Sequence, residues 1–102
     1  METLTKESLI MINETLAHNE NLEPKCEDET LLESMINTIY STYKTADNGD
    51  YYVYANPHHK AGKLLHLFQD NSPFANCNIR TGIISALTLL SISDIKMEQL
   101  FN

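Results

Sequence analysis

Apolar residues recur at helical spacing in several stretches of the chain, and clusters of polar, turn-forming residues separate them. The first stripe is Leu9, Ile12 and Leu16, with Thr5 placed to cap the helix that carries it. His18-Asn19-Glu20-Asn21 ends that helix, and Pro24 disfavours helix at Glu23. A second helix starts near Asp28, whose carboxylate suits a helix N-terminus. Its stripe is Leu31, Leu32, Met35, Ile36, Ile39 and Tyr40, and the pattern stops at the turn signal Thr45 to Asp50. Tyr51-Tyr52-Val53-Tyr54 has strand composition but is too short to build a sheet alone, so it predicts an extended flap or hairpin arm.

Asn56-Pro57 predicts the next helix start, with Asn as the cap and Pro in the first turn. Ala61, Leu64, Leu65 and Phe68 lie on one face of it, and Asp70-Asn71-Ser72-Pro73 breaks it. A fourth helix begins around residues 76–78 and runs through Ile83, Ile84, Leu87 and Leu90. It is the most apolar segment, which predicts a central helix buried on much of its circumference. Ser93-Asp94 is placed to cap a short last helix carrying Ile95, Leu100 and Phe101. The expectation is one all-α domain over residues 1–102, a helical bundle around a central helix with a short extended flap.

Composition narrows the function classes. With 102 residues and a hydrophobic fraction of 42%, the chain fits one ordinary globular domain. Its apolar runs are too short to span a bilayer, and Glu2, Lys6 and Glu7 interrupt any signal-peptide pattern. Cytoplasmic residence is the expectation, with no membrane partner. The net charge of −7 is uneven: residues 1–50 hold eleven acids against three lysines. An acidic chain lacks the basic footprint that nucleic-acid binding exploits, so no nucleic-acid partner is expected. The acidic half suits either a basic protein partner or a solubilising surface. Cys26 and Cys77 form no metal-binding spacing and are expected as free thiols. The four histidines carry no paired-ligand pattern, so no metal site is expected.

The informative stretch is Ser72-Pro73-Phe74-Ala75-Asn76-Cys77-Asn78-Ile79-Arg80-Thr81-Gly82, a loop feeding the N-terminus of the apolar helix. Unpaired backbone N–H groups and the helix dipole make such an end a candidate anion or nucleotide site. Asn76, Asn78 and Arg80 are its candidate side chains, with Arg80 either forking onto a phosphate or serving as a surface charge. Asn78 also reads as a cap that holds the loop. Cys77 reads as a small packing residue or as a thiol activated by the helix end.

This run resembles the signature of the Fic/Doc family, a loop-to-helix motif of the form His-Pro-Phe-x-(Asp/Glu)-(Gly/Ala)-Asn-(Gly/Lys)-Arg. Residues 71–83 read NSPFANCNIRTGI, matching Doc members at Asn71, Pro73, Phe74, Asn78, Arg80 and Thr81. Residues 60–67, the opening Leu4-Thr5-Lys6-Glu7-Ser8-Leu9 and Asp28-Glu29-Thr30-Leu31-Leu32-Glu33-Ser34 also look like family segments in family order. The resemblance covers about residues 3–92. It implies a Fic/Doc-like bundle, C-terminally shortened.

The departures fall on the chemistry. Ser72 stands at the position of the family's basic histidine, and a serine hydroxyl accepts no proton near neutral pH. Asn76 stands where the adenylyl-transferring branch has a metal-holding acid. Ile79 replaces the Doc-type lysine, and Cys77 takes the small position. The resemblance therefore implies a catalytically inactive member with no catalytic residue and no cofactor. Such a member would act by binding a protein, either a host factor or a toxin, in a phage, prophage or toxin–antitoxin setting. Tyr51, Tyr52 and Tyr54 match the family's flap, where a target segment docks as an added strand, and equally fit core packing. A homo-oligomer is a further expectation. The alternative is a phosphoryl- or nucleotidyl-transferase, or a nucleotide-sensing module, using ATP and magnesium at the loop–helix anion site.

Overall fold

A computed structural model describes the fold over residues 3–101 and the side chains over residues 3–93. The order is α1 (Lys6–Asn19), α2 (Glu29–Ile39), β1 (Thr42–Lys44), β2 (Asp50–Tyr52), α3 (Pro57–Asp70) and α4 (Asn78–Phe101). The protein is mostly helical, with one small antiparallel sheet. None of the described helices is long and apolar enough to cross a membrane.

The helix starts follow local chemistry. Thr5 accepts from Ser8 N, Asp28 from Leu31 N and Asn56 from His59 N, each satisfying one orphan donor of a first turn. After α1, Leu22 N donates to Ala17 O and Asn21 N to His18 O. Asn21 sits at φ 57, so the helix closes in a Schellman turn with Asn where Gly is commonest.

Leu9, Leu32, Met35, Ile39, Ala61, Leu64, Phe68, Phe74, Ala86 and Leu89 form the core. Helix α4 packs chiefly on α3 and also on α1, while α2 packs on α3 and α1. The α3–α4 contact is close because Gly82 has no side chain. A Cβ there would lie 2.8 Å from Phe68 Cβ.

Four sequence expectations need correction. The buried row of α1 is Leu9, Asn13 and Ala17, leaving Ile12 and Leu16 half-buried. That row is spaced i, i+4, i+8, and Asn13 belongs to it because its amide is satisfied inside the fold. Helix α2 stops at Ile39, and Thr42–Lys44 forms β1 instead of continuing the helical pattern up to the turn signal at Thr45. Helix α4 runs unbroken to Phe101, so no separate last helix begins at Ser93-Asp94. Ile95, Leu100 and Phe101 lie outside the described side chains. Finally, α4 is not buried around its circumference: Ile79, Ile83, Ile84 and Leu87 are exposed.

The predicted flap is a hairpin. β1 and β2 pair Thr42 with Tyr52, Tyr43 with Tyr51 and Lys44 with Asp50. Asp47 Oδ1 accepts from Gly49 N at 2.9 Å and from the Thr45 hydroxyl, and Asn48 takes φ 62. These bonds favour the ionised carboxylate and hold Asp47 below the ordinary carboxylate range.

Candidate functional site

The loop before α4 is fastened to the loop before α2. Ala75 N donates to Lys25 O at 2.9 Å. Pro73 O accepts from Glu27 N at 2.8 Å and from Asp28 N at 3.1 Å. Between these bonds Phe74 turns inward, buried, and stacks on Phe68 with centroids 6.4 Å apart and planes at 6°. The Asn78 amide closes the loop. Its Oδ1 accepts from Phe74 N at 3.0 Å and its Nδ2 donates to Phe74 O at 2.9 Å.

Cys77, just before α4, has φ 59. That is the left-handed region, which costs a residue with a Cβ on the order of 1 kcal/mol. Its carbonyl accepts from Thr81 N at 2.9 Å and from the Thr81 hydroxyl at 2.6 Å, which fixes the first turn. Cys77→Gly is expected to raise the thermal midpoint by a few degrees, about 0.5–1 kcal/mol, because relief of the left-handed penalty exceeds the added freedom of the unfolded chain. Differential scanning calorimetry checks it.

Asn13 crosses from α1 to the same end of α4. Its Nδ2 donates to Asn76 O at 2.8 Å and contacts Thr81 Oγ1 at 3.2 Å. Asn76 donates from Nδ2 to Glu23 O at 3.1 Å, and its buried Oδ1 has no partner. Arg80 is exposed and pairs with Glu20, at the C-terminal end of α1. The carboxylate raises the guanidinium pKa further above its ordinary value.

The candidate side chains of the loop thus meet at one end of α4, and each is bonded to the protein itself, with Asn76 Oδ1 left without a partner. Asn78 braces the Phe74 backbone and Asn76 holds the Glu23 carbonyl. Arg80, read from the sequence as a phosphate ligand or a surface charge, faces a carboxylate. A ligand anion would have to displace Glu20. Ser72 is exposed. His66, seven residues after His59 on α3, lies 3.5 Å from Asp70 one turn later. Among the described residues no three His, Cys, Asp or Glu side chains cluster as a metal-holding group. Cys26 and Cys77 are both free and half-buried, and burial pushes the Cys26 thiol up.

The hairpin forms a second candidate surface. Tyr51 and Tyr52 are exposed and Tyr54 is half-buried. The Tyr51 ring lies 6.0 Å from that of Tyr43, also exposed, while the Tyr52 ring meets Tyr40 edge-on at 6.5 Å. Lys60 fastens the hairpin to α3. Its Nζ donates to Tyr54 O at 2.6 Å and sits 4.1 Å from the Tyr52 ring centroid. The residue is only 8% exposed, and this burial lowers its pKa. The tyrosines therefore divide: Tyr51 faces outward, while Tyr52 and Tyr54 are partly engaged by lysines, with Lys63 Nζ 5.9 Å from the Tyr54 ring.

Sequence reading missed Asn13, Glu20 and Lys60. Asn13 had one signal, its place midway between Leu9 and Ala17 at i+4 spacing on an otherwise apolar row. Glu20 had none, because its partner Arg80 lies sixty residues away. Lys60 had none although its partner Tyr54 is only six residues away, because no spacing marks a lysine folded back under a hairpin. No family model, curated protein or solved structure matches the chain.

Proposed function

We propose that the chain acts by binding a protein partner at its hairpin, on a scaffold whose loop–helix motif, similar to the Fic/Doc signature, serves structure rather than catalysis. The observation that carries this reading is that Asn76, Asn78 and Arg80 are each held by the fold, although Asn76 Oδ1 has no partner. Asn78 holds Phe74, Asn76 holds Glu23 and Arg80 holds Glu20. Ser72 supplies no base. The exposed rings of Tyr43 and Tyr51 and the two-stranded hairpin support a docking surface that accepts an extended segment. The resemblance favours a phage, prophage or toxin–antitoxin regulator that sequesters its partner.

A second reading, phosphoryl or nucleotidyl transfer, is favoured only by the exposed guanidinium at the N-terminal end of α4. Titration calorimetry with ATP and magnesium separates the two. The expected result is no heat at millimolar nucleotide. Micromolar binding that vanishes in Arg80→Ala would overturn the structural role of the motif. In a parallel capture, the immobilised chain is expected to retain a stoichiometric protein that Tyr51→Ala releases. Retention by both chains, or by neither, would overturn hairpin docking.

A further inference from the structure

The tip of the β1–β2 hairpin is built on a chemically labile pair. Of the three glycines in the chain, only Gly49 follows an asparagine. Asn48 takes φ 62, a left-handed conformation that asparagine tolerates better than most residues with a Cβ. Gly49 has no room for a side chain: a Cβ there would lie 2.8 Å from Tyr51 Cε2 and 3.0 Å from Asp47 Oδ1. The turn therefore favours both residues. Its backbone is held, with Asn48 N donating to Thr45 O at 3.0 Å and Thr45 N to Gly49 O at 3.2 Å, while Asn48 itself is exposed. With no Cβ on residue 49, nothing on that residue screens its nitrogen from the side-chain carbon of Asn48.

We propose that Asn48 is a self-modification site, where the chain deamidates through a succinimide with water as the only co-reactant, at a pace set by the Asp47 carboxylate. A solvent base takes the Gly49 amide proton. The nitrogen bonds to Asn48 Cγ, the Cγ–Nδ2 bond breaks, and Nδ2 takes a proton and leaves as ammonia. Water then adds to one of the two ring carbonyls and breaks its bond to the Gly49 nitrogen. Opening at Cγ leaves an aspartyl residue. Opening at the backbone carbonyl leaves an isoaspartyl residue, whose chain runs on through Cβ and Cγ and so carries one more backbone atom. No atom is oxidised or reduced.

Asp47 sets the pace because its Oδ1 accepts the same Gly49 N–H, at 2.9 Å. That bond must break first, and the negative charge opposes the anionic nitrogen that the attack requires. The hydroxyls of Thr45 and Tyr51 also donate to this carboxylate and keep it ionised. The extra atom of the isoaspartyl product falls inside the loop closed by Thr45 N and Gly49 O, which adjoins the Lys44–Asp50 and Tyr43–Tyr51 pairs. Losing that bond loosens the register of the hairpin. The reaction is a one-way timer on the hairpin, and it stands whether or not the hairpin docks a partner.

Peptide mapping by mass spectrometry tests this on the full chain, held folded in mildly alkaline buffer and sampled over several weeks. The peptide containing Asn48 is expected to gain the mass difference between an amide and a carboxyl group. It is expected to split into two chromatographic peaks of equal mass, aspartyl and isoaspartyl. Asn48→Gly suits the left-handed φ and is expected to show no gain there. Asp47→Asn keeps an acceptor for Gly49 N without the charge and is expected to react several-fold faster at position 48, read by fragmentation. In the purified isoaspartyl chain, the Thr45 amide is expected to exchange with solvent several-fold faster than in the untreated chain. No gain at Asn48 in a chain that circular dichroism shows to be folded would overturn the proposal. So would gain only at other asparagines, a rate in Asp47→Asn no faster than in the unsubstituted chain, or unchanged exchange at Thr45.

Discussion

Phe74→Ala is expected to lower the thermal midpoint by roughly 15 °C or more, the largest effect of any single substitution considered for this chain. Truncating a buried phenylalanine costs about 3–5 kcal/mol, from lost transfer free energy and the cavity left behind. Small domains hold a net stability of about 5–15 kcal/mol, so the loss is a large share of it. Phe74 also stands where three elements meet. Its ring stacks on Phe68 of α3, its backbone bridges Cys26, and Asn78 of α4 binds both its N–H and its carbonyl. Phe74→Leu keeps most of the volume and is expected to lose only about 1–1.5 kcal/mol. Calorimetry of both variants reads the difference. Equal losses would mean that ring stacking, not volume, holds the loop.

The core position of Phe74 lies behind the legibility of this region. Pro73-Phe74 followed by an apolar helix marks a loop with one inward anchor, and the caps Thr5, Asp28 and Asn56 are local signals that the structure bears out. The α1 stripe was misplaced because periodicity weighs residues by hydropathy, and Asn13 counts as polar wherever it sits. Its partners, Asn76 and Thr81, are more than sixty residues away. The outward aliphatic row of α4 was misread for a related reason. A helix apolar on every side reads as buried, but periodicity does not say whether its own chain covers both faces. The site side chains were visible as residue types, yet not their engagement. That Arg80 meets Glu20 depends on how α1 lies beside α4, which no spacing encodes.

The second large effect falls on Asn13, which is 1% exposed and links α1 to the start of α4. Asn13→Leu is expected to cost about 2–3 kcal/mol, or roughly 10–20 °C in the thermal midpoint. The volume is kept, but the Asn76 carbonyl loses its donor and Thr81 a contact. Thr81 keeps its bond to Cys77 O, so its hydroxyl is not orphaned. Asn13→Asp distinguishes lost donation from lost packing. The introduced carboxylate has the same shape but cannot donate to Asn76 O, and burial disfavours its charge, so its folded pKa rises above the unfolded value. Within that window the folded state binds more protons than the unfolded one, and stability falls as pH rises. The Asp variant is therefore expected to be less stable than the Leu variant at pH 7. It recovers below the ordinary carboxylate range, where the protonated acid donates again. Urea unfolding at both pH values, with the wild type alongside, isolates that recovery. A deficit independent of pH in Asn13→Asp would mean that packing, not the hydrogen bond to Asn76, joins α1 to α4.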